Sequence, residues 1–93
     1  MDRVAMIREK LEQALSPEHL EIIDESHLHV GHAGAASGAG HFNVTVVSES
    51  FQDQNLISRH RLVYQAVDDL MQSEIHALSI KAMTPEEHLS TGD

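Results

Sequence analysis

Between His41 and Ala82 the spacing of apolar residues changes period twice, and that change leaves few folds open. Residues His41 to Ser48 alternate, with Phe42, Val44 and Val46 against Asn43, Thr45 and Val47, as a half-buried strand does. Leu56, Ile57, His60, Val63, Tyr64, Val67, Leu70 and Met71 then follow a helical period, which predicts a helix of about four turns lying over the core. Alternation returns at Ile75 to Ala82, where the pattern assigns His76, Leu78, Ile80 and Ala82 to one face and Ala77, Ser79 and Lys81 to the other. A strand, a helix and a strand joined by short connectors form a right-handed crossover between parallel strands.

The flanking segments complete the domain. Val4, Ile7, Leu11 and Ala14 or Leu15 predict an amphipathic helix from Asp2 to Leu15, broken by Ser16-Pro17. His19 to Asp24 alternates, Leu20 and Ile22 against Glu21 and Ile23, and reads as a short strand pairing antiparallel with residues 41–48. Thr84-Pro85-Glu86-Glu87 combines an N-cap threonine, proline at the first helical position and glutamate at the third, the signature of a capping box. Residues 31–40 hold only Gly, Ala, Ser and one His, which predicts a flexible loop, and residues 89–93 read as a C-terminal tail. The expectation is a single α+β domain over residues 1–93 in the order αββαβα, with a three-stranded mixed sheet and helices packed on one face.

Composition narrows the chemistry. The chain has no cysteine, so it offers no disulfide, no thiol nucleophile and no thiolate of its own for zinc or an iron–sulfur cluster. No Trp is present, and Phe42, Phe51 and Tyr64 are too few for a base-stacking platform. A net charge of −9 repels a phosphate backbone, which makes nucleic acid a poor partner. Eight histidines would bring that charge from −9 to −1 if all were protonated, so the charge state depends strongly on pH near the imidazole range. Without a basic leader or a long apolar run, the expectation is a cytoplasmic chain with no membrane partner.

The histidines are also the candidate ligands. His27, His29, His32 and His41 flank or lie within the small-residue loop, at spacings that let imidazoles converge on a metal if the chain bends; the plainer reading is a polar loop with solvated histidines. His60 falls on or beside the apolar stripe of the long helix, either as a core histidine bonded to backbone or as a second anchor. Arg59 and Arg61 beside it make a cationic spot in an acidic chain, suited to a partner's carboxylates or to glutathione, unless both are ordinary solvated helix charges. No Gly-x-Ser-x-Gly, phosphate loop or His-Glu-x-x-His occurs, and the paired acids Asp24-Glu25 and Asp68-Asp69 point apart, so catalysis is not expected.

Five segments together resemble the BolA family over nearly the whole chain. They are Leu15-Ser-Pro-Glu-His-Leu20-Glu-Ile-Ile-Asp-Glu-Ser-His27, His41-Phe-Asn-Val-Thr-Val-Val-Ser48, Leu56-Ile-Ser-Arg-His-Arg-Leu-Val-Tyr64, Ile75-His-Ala-Leu78 and Thr84-Pro-Glu-Glu87. The Arg59 to Tyr64 stretch is the most specific of them. The resemblance implies a domain related to the type II KH fold. It also implies a non-enzymatic protein that pairs with a monothiol glutaredoxin and shares or receives a glutathione-ligated [2Fe–2S] cluster in iron–sulfur trafficking or iron regulation, the isolated chain being a monomer or weak homodimer without cluster.

Carried over residue by residue, the resemblance makes His60 one ligand and His32 or His29 the other, with His41 and His27 ranked below them, and Arg59 and Arg61 the partner- or glutathione-binding residues. Capture through neutral imidazole would weaken as pH falls. The chain departs from the family pattern at Asp53, where many relatives have glycine, and at His88, where many have tryptophan. The alternative function implied by the family is DNA-binding transcriptional regulation. Gly31-His32-Ala33-Gly34 carries the letters of a KH backbone clamp but lies between strands, not between helices, so it does not support that alternative. A third reading is an interaction module that uses no metal.

Overall fold

The computed structural model describes residues 2–26, 40–71 and 73–90. The elements run α1 (Arg3–Leu15), β1 (His19–Asp24), β2 (Gly40–Val47), α2 (Leu56–Ala66), β3 (Ile75–Met83) and α3 (Pro85–Ser90), with 3-10 turns at Glu49–Phe51 and Asp68–Leu70. The sheet order is β1-β2-β3, with β1 antiparallel and β3 parallel to β2. This is the expected αββαβα domain with a mixed three-stranded sheet. Among the described residues no helix is long and apolar enough to cross a membrane.

Local chemistry sets each boundary. Asp2 caps α1 by accepting from Ala5 N–H at 2.7 Å, and the helix stops at Ser16, which turns left-handed at φ 45° and closes its N–H onto Glu12 O. Asn55 caps α2 in the same way through Ser58 N–H. Thr84 and Glu87 form the capping box of α3: Glu87 N–H donates to Thr84 Oγ1 at 3.1 Å, and Thr84 N–H to Glu87 Oε1 at 3.0 Å.

The core is aliphatic with two phenylalanines. Ile7, Leu11 and Leu15 of α1 and Val63 and Val67 of α2 and its end meet Phe42, Val44 and Val46 of β2, with Phe51, Leu70, Ile75 and Ala82 closing the sides. Burial of this kind contributes roughly 1.5–3 kcal/mol per large side chain before chain entropy is counted. α1 and α2 therefore pack on one face, as expected, whereas the short α3 departs from that expectation. On the opposite face, where alternation puts His19, Val47 and Met83 in one register row, α3 brings His88 against His19, rings stacked at 5.2 Å and 17°.

Further sequence expectations are corrected. The long helix ends at Ala66 and continues only as a 3-10 turn, because Asp68 and Asp69 sit where the carbonyl end of a helix disfavours negative charge. Leu56 and Ile57 are 64% and 65% exposed, since the first turn of α2 projects past the core it was expected to cover. His76 does not share the face of Leu78, Ile80 and Ala82 as expected but is exposed: the register slips between Gly40 and His41, so a bulge inserts one residue after the buried Ile75 and reverses the alternation. Gly40 lies in β2, and Leu89 and Ser90 lie in α3 and not in a tail. Residues 31–39 of the expected loop and 91–93 of the expected tail lie outside the described residues.

Candidate functional site

β1 ends at Asp24, and the chain re-enters the sheet at Gly40, so the segment carrying His27, His29 and His32 is anchored at one end of the sheet. The anchors are specific. Glu25 N–H donates to His41 O at 2.8 Å, His41 N–H to Ser26 Oγ at 3.1 Å and Gly40 N–H to Glu74 O at 3.0 Å. Gly40 is needed here: a Cβ would collide with Ser26 Oγ and stand 2.8 Å from the Phe42 ring.

At this end stand two histidines from neighbouring strands. His41 begins β2, His76 begins β3, and the bulge brings their rings to a centroid separation of 5.1 Å at a tilt of 50°. Two imidazoles bound to one tetrahedral ion, with metal–nitrogen bonds near 2.0–2.1 Å, have centroids about 5 Å apart. His41 is half-buried, and His76 is exposed and accessible to a partner. Among the described residues no group of three or more His, Cys, Asp or Glu gathers around a common point, so this pair is an incomplete ligand set by itself.

His60 is elsewhere. Its neighbour Arg59 reaches Ala82 O at 3.2 Å, and Tyr64, one turn on, donates to Leu78 O at 3.3 Å, so α2 runs antiparallel to β3 with His60 near the Ala82 level. From Ala82 back to His76 the strand covers about 20 Å at roughly 3.3 Å per residue. The ring of His60 is half-buried, with Nε2 sealed from solvent and without a hydrogen-bond partner. The structure thus sets His60 apart from the anchors of the segment that holds His29 and His32. Those two residues themselves lie outside the described residues.

The two arginines have different surroundings. Arg59 donates from Nε to Gln54 O at 2.8 Å, from Nη1 to Glu87 Oε1 and Ala82 O, and from Nη2 to Glu87 Oε2. Four of its five N–H groups are engaged, and it fastens α2 to α3. The Arg59 hydrogen bond, followed by the Thr84 backbone N–H, holds the Glu87 carboxyl at about 2, well below its ordinary 4.5. Glu87 in turn raises Arg59, already a permanent cation. Arg61 is exposed and enters no ion pair among the described residues.

Sequence reasoning missed His76. The available signal was the doublet Ile75-His76 at a strand start: one of the two must face inward, and burying the imidazole costs more than burying isoleucine.

A family model described as BolA-like protein matches residues 11–87. The protein named SufE-like protein 1, chloroplastic/mitochondrial, of Arabidopsis thaliana is 49% identical over 86 residues, covering 87% of this chain and 23% of that protein. The solved BolA domain of SufE1 from Arabidopsis thaliana is similar with a TM-score of 0.82 at 46% identity, over 94% of this chain and 96% of the other. The DNA-binding transcriptional regulator BolA of Vibrio cholerae is 43% identical over 82 residues, covering 88% of this chain and 74% of that protein. Across several matched plant and mammalian relatives the chain spans 23% to 58% of their length.

Proposed function

The chain belongs to the family of BolA-like proteins, and from that premise we propose that it acts without catalysis of its own, pairing with a monothiol glutaredoxin to share or receive a [2Fe–2S] cluster. The observation that carries this reading is the exposed imidazole of His76, 5.1 Å from His41, at the sheet end where the segment bearing His29 and His32 is anchored. His76 and one of His29 and His32 are the donors assigned to this chain. His60 is left out of this donor set because α2 holds it near the Ala82 end of β3, away from the anchors of that segment.

The donor set fits such a cluster in a limited way. With no cysteine, the chain contributes imidazole only, and the thiolates come from the glutaredoxin and glutathione. When bound, the cluster supplies one-electron chemistry whose potential is raised by histidine ligation. The chain's own part is to present His76 from a rigid strand start, with His41 packed behind it, and to offer the exposed Arg61 for carboxylates of the partner or of glutathione.

Reconstitution of the full chain with a monothiol glutaredoxin and glutathione, followed by visible circular dichroism, tests the reading. His76→Ala and one of His29→Ala and His32→Ala are expected to change the spectrum. Spectra unchanged in all three variants would falsify the assignment. Loop-histidine NMR shifts that appear with apo-glutaredoxin alone would favour a module that uses no metal.

DNA binding, printed in the name of the Vibrio cholerae relative, is the second reading. It has less support here: Arg59 is engaged by Glu87, leaving Arg61 and Lys81 exposed on a chain of charge −9. Competitor-resistant submicromolar retardation in a mobility assay near physiological salt would reverse this order.

A further inference from the structure

The order β1-β2-β3 leaves two sheet edges, and the chain treats them differently. On β3, Met83 O accepts from Ser48 N–H on the β2 side, so alternation turns the peptide groups of Leu78, Ile80 and Ala82 outward. Two of those carbonyls are occupied from α2, Leu78 O by the Tyr64 hydroxyl and Ala82 O by Arg59 Nη1. That edge is guarded. On β1, Glu25 N–H donates to His41 O on the β2 side, so alternation turns the peptide groups of Leu20 and Ile22 outward. Among the described residues no hydrogen bond reaches these outward groups.

An open edge accepts an extended chain, and side chains select which one. Glu18, Glu21, Asp24 and Glu25 line β1, and no Lys or Arg occurs from Pro17 to Ser26. Glu21 and Ile23 share the face away from the core, with Ile23 47% exposed, and Leu20 and Ile22 lie half-buried on the other. A strand added about 4.8 Å away would set its own residues beside these. Opposite Glu21 a lysine or arginine is favoured, opposite Ile23 an apolar residue, and toward the core side β-branched or aromatic residues. A second copy of β1 fits poorly, because antiparallel self-pairing would set carboxylates against carboxylates.

We infer that β1 is a docking edge for an extended, lysine- or arginine-bearing segment of another protein, which adds to the sheet as a fourth strand. The inference is independent of the cluster reading, since it uses neither His76 nor the segment between Ser26 and Gly40.

The test is amide NMR of the full isotope-labelled chain titrated with a short peptide of alternating lysine and valine, and with the same peptide N-methylated at every backbone amide. The unmodified peptide is expected to shift β1 amides and to slow hydrogen exchange at Leu20 and Ile22. The methylated peptide, lacking its backbone donors on both edges, is expected to bind roughly tenfold more weakly or not at all. Glu21→Lys is expected to weaken binding several-fold. Ile22→Pro deletes an outward N–H that lies outside the ladder, so the fold persists and docking is lost. Equal binding of the two peptides, shifts centred on α2 or α3, unchanged exchange at Leu20 and Ile22, or dimerisation of the free chain through β1 would each overturn the inference. Should Ile22→Pro unfold, the comparison of the two peptides on the unaltered chain still decides.

Discussion

Arg59 and Glu87 form a two-point ion pair, 2.6 Å from Nη1 to Oε1 and 3.1 Å from Nη2 to Oε2, that ties the long helix to the short one after β3. The same carboxylate accepts Thr84 N–H, so one side chain closes both the capping box and the tie. Arg59, which reads in sequence as a docking charge or a solvated helix charge, spends four of its N–H groups on bonds within the chain.

The pH dependence of this clamp follows from the depressed carboxyl. Glu87 is held at about 2 in the folded chain against an ordinary 4.5. Its contribution to stability is complete above about pH 4.5 and is lost as pH falls toward 2. Glu87→Gln is expected to lower the thermal midpoint by a few degrees at neutral pH, and the gap from the parent chain is expected to close across that acid window. Arg59→Lys, which keeps the charge but not the planar fork, is expected to lower the midpoint as well. Thermal melts at several pH values check both, and a gap of constant size down to pH 2 would contradict the assignment.

Leu11 and Leu56 occupy similar positions in their helical patterns and opposite ones in the molecule. Leu11 is 0% exposed among Ile7, Val63 and the sheet, whereas Leu56 is 64% exposed on the first turn of α2. Leu11→Ala is expected to cost about 3 kcal/mol by leaving a cavity, and Leu56→Ala less than about 0.5 kcal/mol. Urea titration of each variant measures the difference. Similar losses would mean that the first turn of α2 is covered in solution.

The strands were legible because each buries one face, so period-two alternation was written directly in Leu20 and Ile22 and in Phe42, Val44 and Val46. The crossover followed from their order. Two things were not legible. Apolar spacing in Leu56 and Ile57 says that a helix has an apolar side, but not that its first turn overhangs the sheet. Linear spacing also cannot show that the starts of two parallel strands bring His41 beside His76, or that a bulge turns His76 outward. The site is a product of register, and register depends on contacts far apart in sequence.

Two non-glycine residues hold left-handed backbone angles, Ser16 at φ 45° after α1 and Asp53 at φ 61° before α2. Both positions favour glycine, because a Cβ there approaches the following carbonyl. Asp53→Gly and Ser16→Gly are each expected to be neutral or to stabilise by up to about 1 kcal/mol, the relief of strain offsetting the added freedom of the unfolded chain. Asp53→Val is expected to destabilise by more than about 1 kcal/mol. Equal stability of the valine and glycine variants would mean that the turn before α2 relaxes to another conformation.

His60 and His76 are the two residues on which the proposed division between structural and ligating histidines can be tested. His60 has a buried Nε2 with no partner, which carries a desolvation cost without a compensating bond. Its replacement by an apolar side chain of similar size, His60→Leu, is therefore expected to leave the chain as stable as before or to stabilise it by about 1 kcal/mol. In the glutaredoxin complex the same variant is expected to retain the parent visible circular dichroism, because Nε2 is sealed and the residue stands at the far end of β3. His76→Leu is expected to do the reverse, with little effect on melting of the isolated chain, since the ring is exposed, and a changed spectrum for the complex. Loss of the spectrum in His60→Leu with its stability preserved would return the ligand role to the long helix and remove the argument from sheet register.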